Sequence, residues 1–386
     1  MALTCLTYSP PVRRPTRPQR PDYALLDAAL ALAEEGKSVE SVTKVFQHLL
    51  PTERIPDLAT QTFSFTQGSS RVSVRVDGDE LQVWVPVVRL PSGGSAIAAL
   101  RFVLTEISGS GQLHQPRLHG DDLFLEFREK ISSLHPAKVL EVLQRLPVEA
   151  DLNDDWLIGE FAALPLERAP IDGLDTDEVN RSEALWRTHW SDVEELVKEA
   201  QRKRSMFLLN EVTAYARWRI AFALPLTGLL AARLSESAAV FDNDQVDPLK
   251  RQALLLDCAV EMKAISREEL HRNLGHAKYA ISPRQDGTPA LLSNCFEAGS
   301  YIKTVDGLRE TGKALDAALS LIRTYNQLLA AYAWPETVEA QLQDGLALAS
   351  DKPWREAADA LFNHAKAMVA DYGGSLGHQG DGGGAT

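Results

Sequence analysis

Between residues 61 and 88 apolar and polar residues alternate almost without interruption, and after residue 181 no alternating stretch of useful length occurs. In "TFSFT" and "RVSVRVD" every second side chain falls on one face. Gly78 supplies a turn inside "DGDE", and "LQVWVPVV" continues with β-branched and aromatic residues. The stretch predicts an antiparallel meander of three strands. Pro86 belongs at a strand end, an edge or a bulge, because it cannot donate to a ladder. From Arg181 onward the apolar period is helical, over about 181–223, 225–240, 249–273, 301–333, 335–349 and 354–371. The chain therefore reads as an α+β region followed by an all-α bundle or stack of helical hairpins.

The remaining N-terminal elements follow from the same signals. Asp22 caps a helix with Leu25, Leu26, Ala29, Leu30 and Leu32 on a broad apolar stripe, and "SVESVTKVFQHLL" forms a second, with Val42, Val45, Phe46 and Leu49 on one face. After "PSGGS" the helix "AIAALRFVLTEI" leads to a hairpin, "QLHQPRL" and "DDLFLEFREKI", turning at His119 and Gly120. His135 and Pro136 open a helix through Val139, Leu143 and Leu146. Residues 22 to about 162 thus have the order α, βββ, α, ββ, α around an antiparallel sheet.

At 386 residues with 45% hydrophobic content, the chain has enough material for two cores. The predicted division is a disordered basic Pro/Arg arm at 1–21, an α+β domain at 22–165, an acidic, turn-rich linker at 166–180, a helical domain at 181–372, and a disordered Gly-rich tail at 373–386.

The meander "RVSVRVDGDELQVWVPVV", the helix "AIAALRFVLTEI" leading into "GQLHQPRLHGDDLFLEFREKI", and the helix beginning at "SSLHPAKVLEVL" together resemble the type III secretion chaperone-like fold, including the YbjN-like sensory-transduction group. The resemblance covers well under half of the chain and lies in element order and hydrophobic pattern. It implies a non-enzymatic, often dimeric domain that holds a partner polypeptide on apolar sheet and helix surfaces. It has no catalytic residues to carry over.

A formal net charge of -13 argues against general binding to nucleic acid or anionic membranes. Cys5, Cys258 and Cys295 are too few and scattered for a disulfide framework or a zinc cluster, which suits a reducing cytoplasm. The longest apolar stretch, Ile220 to Ala232, is broken by Pro225 and is read as buried helix, so no membrane span is expected. Gly307, Gly312 and Lys313 have the spacing of a phosphate-binding loop. However, Ala314 stands where a magnesium-binding hydroxyl is needed, and Leu308, Leu315, Leu319 and Ile322 form a helical stripe through the motif. Glu268 and His271, one helical turn apart, lack the second copy a dimetal site requires. Trp186 and Trp190, with Tyr215, Trp218 and Arg219, read as core or boundary residues of two packed helices rather than a base-stacking surface.

No catalytic residue, metal site or cofactor is expected. The sequence points to a bacterial cytoplasmic adaptor that holds a protein partner or self-associates as a homodimer, with Val83, Trp84, Val85 and Phe124 as candidate contacts. A structural subunit of a larger assembly and a nucleotide-regulated switch or enzyme in the helical domain are the alternatives.

Overall fold

The computed structural model describes residues 3–14, 21–51, 55–58, 60–109 and 112–376. Part of the expected arm, residues 15–20, and the end of the expected tail, residues 377–386, lie outside the described residues.

Two helices, α1 (Tyr23–Glu34) and α2 (Ser38–Leu49), precede strands β1 (Phe63–Gly68), β2 (Ser70–Asp77) and β3 (Glu80–Arg89). Helix α3 (Gly94–Phe102) runs into a π-helical turn at Val103–Ile107. The hairpin β4 (Gln115–His119) and β5 (Asp122–Lys130), the long helix α4 (Pro136–Phe161) and the short strand β6 (Leu164–Pro165) complete the first region. The order is the one predicted. Strands β4-β5-β3-β2-β1 form an antiparallel sheet in that spatial order, with a register shift between Pro86 and Val88 where proline interrupts the ladder. Alternation decides which side chains are buried. Val72, Val74, Leu81, Val83, Val85, Leu123, Leu125 and Phe127 pack with Val45 and Phe46 of α2 and Val142, Leu143 and Leu146 of α4 into one core.

The second region comprises α5 (Thr176–Lys203), α6 (Met206–Ala223), α7 (Gly228–Asp242), α8 (Pro248–Ala264), α9 (Arg267–Arg272), the short strands β7 (Lys278–Tyr279) and β8 (Gln285–Asp286), and α10 (Pro289–Ser293). It continues through α11 (Ser300–Glu310), α12 (Ala314–Ala331), β9 (Tyr332–Ala333), α13 (Glu336–Ala349) and α14 (Trp354–Leu376). Helices α6 and α12 are buried on nearly all sides and form its central pair. They are clamped by Arg323, whose Nε and Nη2 donate to Glu211 Oε2 at 2.9 Å and Oε1 at 3.2 Å.

Four expectations need correction. Residues 3–14 are not a disordered arm but a strap along the helical region. Leu6 and Val12 enter its core, and the Val12 and Arg13 amides donate to the Ala223 carbonyl at 2.8 and 3.1 Å. The expected linker is largely ordered: the Ala169 amide donates to Ser69 O at 2.7 Å, and α5 begins at Thr176 with Asp175 and Glu178 closing a capping box. The two regions also share a sheet, since β7, from the stretch assigned to the helical domain, pairs antiparallel with the end of β1. Finally, three predicted long helices are broken, the 249–273 segment at Ile265 and Ser266, where α8 ends and Ser266 caps α9. The 181–223 segment turns at Arg204, in the left-handed conformation, and the 301–333 segment turns at Gly312, whose φ is +74°. The stripe from Leu308 to Ile322 is therefore a helix–turn–helix corner, with Lys313 exposed on the turn.

Among the described residues no helix is long and apolar enough to cross a membrane.

Candidate functional site

The structure divides the four candidate contacts between the two faces of the sheet. Val83 and Val85 are fully buried against α4, so they belong to the core and cannot present to a partner. Trp84 and Phe124 lie on the opposite face, half-buried beneath polar side chains. The Arg75 guanidinium sits 5.6 Å from the Trp84 ring centroid, and the His119 ring meets Phe124 edge-on at 5.0 Å. Arg75 donates to Gln82 Oε1 at 2.9 Å, and Glu126 is paired with both His119 and Arg128. This face is a polar network over two aromatic rings.

Trp186 and Trp190 are core residues, as expected. Between them and Tyr215, His189 is fully enclosed, its Nε2 3.0 Å from the Ala216 carbonyl, and burial pushes its pKa down to about 3, so it stays neutral and donates there. Glu268 is exposed and His271 Nε2 faces Glu183 at 3.6 Å. Among the described residues no group of three or more His, Cys, Asp or Glu side chains is placed to hold a metal ion.

The most developed site is a cavity of about 480 Å³ beside the β7 segment. The second half of α6 supplies Arg217 and Trp218, the α6–α7 connector Leu224 to Leu226, α7 Leu234, the β7 segment Lys278 and Tyr279, and the strap Arg13 and Arg14. Among the described residues, five guanidinium or ammonium groups (Arg13, Arg14, Arg217, Lys278 and Arg284) line it against a single carboxylate, Asp172. In a chain of net charge -13 that is a local reversal of sign.

Some of these charges are balanced. Lys278 Nζ is 3.1 Å from Asp172, while Arg14 and His276 both reach Glu178 Oε1, at 3.0 and 3.2 Å. Arg13 Nη1 donates to the Ala221 carbonyl at 2.9 Å, and Arg284 Nη1 to the carbonyls of Leu329 and Tyr332 at 3.3 and 3.4 Å. Arg217 is different. It is 5% exposed, its guanidinium lies 3.8 Å from the Trp218 ring centroid and 5.2 Å from that of Phe241, and among the described residues none of its three nitrogens finds a hydrogen-bond partner. Its closest carboxylate, Asp242, is 4.0 Å away and mostly exposed. Burial pushes the pKa values of Arg217 and Arg284 down to about 10 and lowers that of Arg13. Arg217 and Arg284 remain charged at neutral pH, in surroundings that disfavour the charge.

Beneath the β1–β7 junction lies a buried acidic cluster. Ser69 Oγ is 2.8 Å from Asp151 Oδ1 and 2.7 Å from Asp154 Oδ2, and Arg168 Nη2 donates to Asp155 Oδ1 at 2.6 Å. Burial raises Asp151 to about 6, and burial with the neighbouring Asp155 charge raises Asp154 to about 8. One serine hydroxyl cannot donate to both acids, so a proton held on Asp154 completes the network by donating to Ser69 Oγ.

The sequence indicated some of these residues and not others. Trp218 appeared there as a core or boundary residue and Arg13 and Arg14 only within a basic arm expected to be disordered, while Arg217, Lys278, Tyr279 and Arg284 carry no spacing that unites them. No family model matches the sequence, and no curated protein matches it.

Proposed function

We propose that the protein is a binding protein whose cavity receives an organic anion, with a carboxylate or phosphate head on an apolar body. The observation that carries this reading is Arg217, a buried guanidinium against two aromatic rings with no hydrogen-bond acceptor among the described residues. A buried cation without an acceptor costs the free protein stability, and because its nitrogens are closed to solvent, an anion entering the cavity recovers that cost as the guanidinium turns towards it for bidentate pairing. The walls suit such a ligand, since Trp218, Leu224, Leu226 and Leu234 offer apolar surface beside the charges, and the volume lies within the roughly 300–1,000 Å³ of small-molecule sites. Tyr279 is pushed up to about 12 by burial, so its hydroxyl is a neutral donor to such a head group at neutral pH.

The test is calorimetric titration with phenyl phosphate and 4-phenylbutyrate, using 4-phenylbutanol as the neutral control. The anions bind wild type, and Arg217→Gln weakens them about tenfold or more, since hydrogen bonds to charged groups contribute about 1.5–3 kcal/mol. No heat with either anion, or equal heat with the alcohol, contradicts the assignment.

The holding of a partner polypeptide is the second reading, supported by the two aromatics on the outer sheet face. Arg75 and His119 cover Trp84 and Phe124 while bonded to Gln82 and Glu126, so their displacement from that network exposes an aromatic pair to an incoming segment. In this reading Trp84→Lys and Phe124→Lys leave the melting temperature near that of wild type and abolish partner capture. Unfolding of either variant opposes it.

A further inference from the structure

Helix α8 carries apolar side chains on the wrong side for its own fold. Its inner face is set by Gln252, Leu255 and Met262, all buried. About a third of a turn round the helix, Leu249, 70% exposed, Val260, 69% exposed, and exposed Ala253 form a second face, whose inner margin is Leu256, half-buried and packed against the chain's own core. The spacings are four, three and four, which place these residues on one stripe of a straight helix, roughly 16 Å long at ~1.5 Å per residue. Scattered exposed leucines are ordinary on a protein surface, but a continuous stripe at this spacing is the seam of a helix pair.

Charge along one margin of the stripe indicates the partner. Lys250 and Asp257 both flank it on the same side and are exposed, and they are seven residues apart, too far along the helix to touch each other. We infer that α8 is a self-association surface: a second copy of this chain packs its own α8 antiparallel across this stripe, about a two-fold axis passing between Leu254 and Leu255. In that register Leu249 meets Val260 of the partner subunit, and Ala253 meets Leu256 of the partner subunit. Lys250 approaches Asp257 of the partner subunit, and the two-fold axis repeats each contact. The match is self-complementary in both shape and sign. A parallel pair sets Lys250 and Asp257 against the margin that carries Gln252, already buried in its own core, and leaves both charges without a partner. Four apolar side chains per copy cover less than the roughly 1,000 Å² expected of a permanent interface, so the dimer forms and dissociates with concentration.

Sedimentation velocity on the full chain, from low micromolar to several hundred micromolar, tests this. The mass rises from one 42.4 kDa chain towards two as concentration increases. Val260→Glu holds the chain monomeric across the range while its melting temperature stays near wild type, because the residue is exposed. If it melts early, Ala253→Arg on the same stripe takes its place. Lys250→Glu and Asp257→Lys each weaken the dimer severalfold by setting like charges together, and the double variant restores it. A wild-type chain that stays monomeric throughout, a dimer indifferent to both stripe variants, or a double variant no tighter than the singles overturns the inference.

Discussion

Removal of residues 1–14 lowers the unfolding free energy by about 3–5 kcal/mol, an effect reserved for a handful of mechanisms, of which core loss is one. The strap is held as a core element is held. Leu6 and Val12 are buried, and full burial of such side chains stabilises by about 1.5–3 kcal/mol each. Polar groups on the body of the protein depend on the strap in turn. Arg219 donates to Ser9 O at 2.6 Å and lies 5.1 Å from the Tyr8 ring centroid, Trp354 Nε1 donates to Leu3 O at 3.0 Å, and the Asp351 amide to Leu6 O at 2.9 Å. Deletion removes the strap's hydrogen bonds to a guanidinium, an indole and an amide, each worth about 0.5–1.5 kcal/mol once water replaces the lost partner. Pro10 and Pro11 reduce the entropy lost when the strap docks. Urea denaturation followed by tryptophan fluorescence reads the difference, and a truncated chain within about 0.5 kcal/mol of full length contradicts the account. The point variants Leu6→Asp and Val12→Asp separate the packing from the missing length.

Gly68→Ala is the second large effect, again about 3–5 kcal/mol, from two costs at one position. The glycine has φ +60°, where an alanine is strained by roughly 1–2 kcal/mol. Its added Cβ falls 1.9 Å from Asp151 Oδ1 and 2.1 Å from Asp151 Cγ, so the carboxyl must leave Ser69. The pH dependence of stability reports on the same cluster. Folded Asp154 holds its proton up to about pH 8, whereas an unfolded aspartate releases it near 4, so between these limits the folded state binds more protons. Stability due to this group is therefore intact in acid and falls as pH rises towards 8. Asp154→Asn flattens the fall and makes the variant the more stable protein at pH 8.5. Parallel profiles for wild type and variant between pH 5 and 8.5 contradict the protonated network.

Where a structural signal repeats over many residues, it was visible in the sequence. The strict alternation of residues 63–88 predicts the meander, and the helical period after 181 predicts most of the second region. The strap was not visible, because its prolines and arginines form no repeating pattern. Its amide donors are satisfied by the Ala223 carbonyl, some 210 positions away. A two-residue strand such as β7 is too short to display any period, so its pairing with β1 was invisible too. Alternation also assigns Val83 and Val85 to the face opposite Trp84, but which face receives α4 is a tertiary fact. Of the site, Trp218 and the strap arginines were apparent as residue types. Arg13, Arg217 and Arg284 meet only because the strap, α6 and the β7–β8 segment converge.

The central claim is that Arg217 is kept for an anion at a cost to the free protein. Its most direct test is the urea denaturation of wild type and Arg217→Met with and without phenyl phosphate. Without the anion the methionine variant is more stable by about 1–2 kcal/mol, because a similar-sized apolar side chain replaces a desolvated charge. With it wild type gains stability and the variant does not. A variant less stable than wild type in buffer, yet equally stabilised by the anion, contradicts the account.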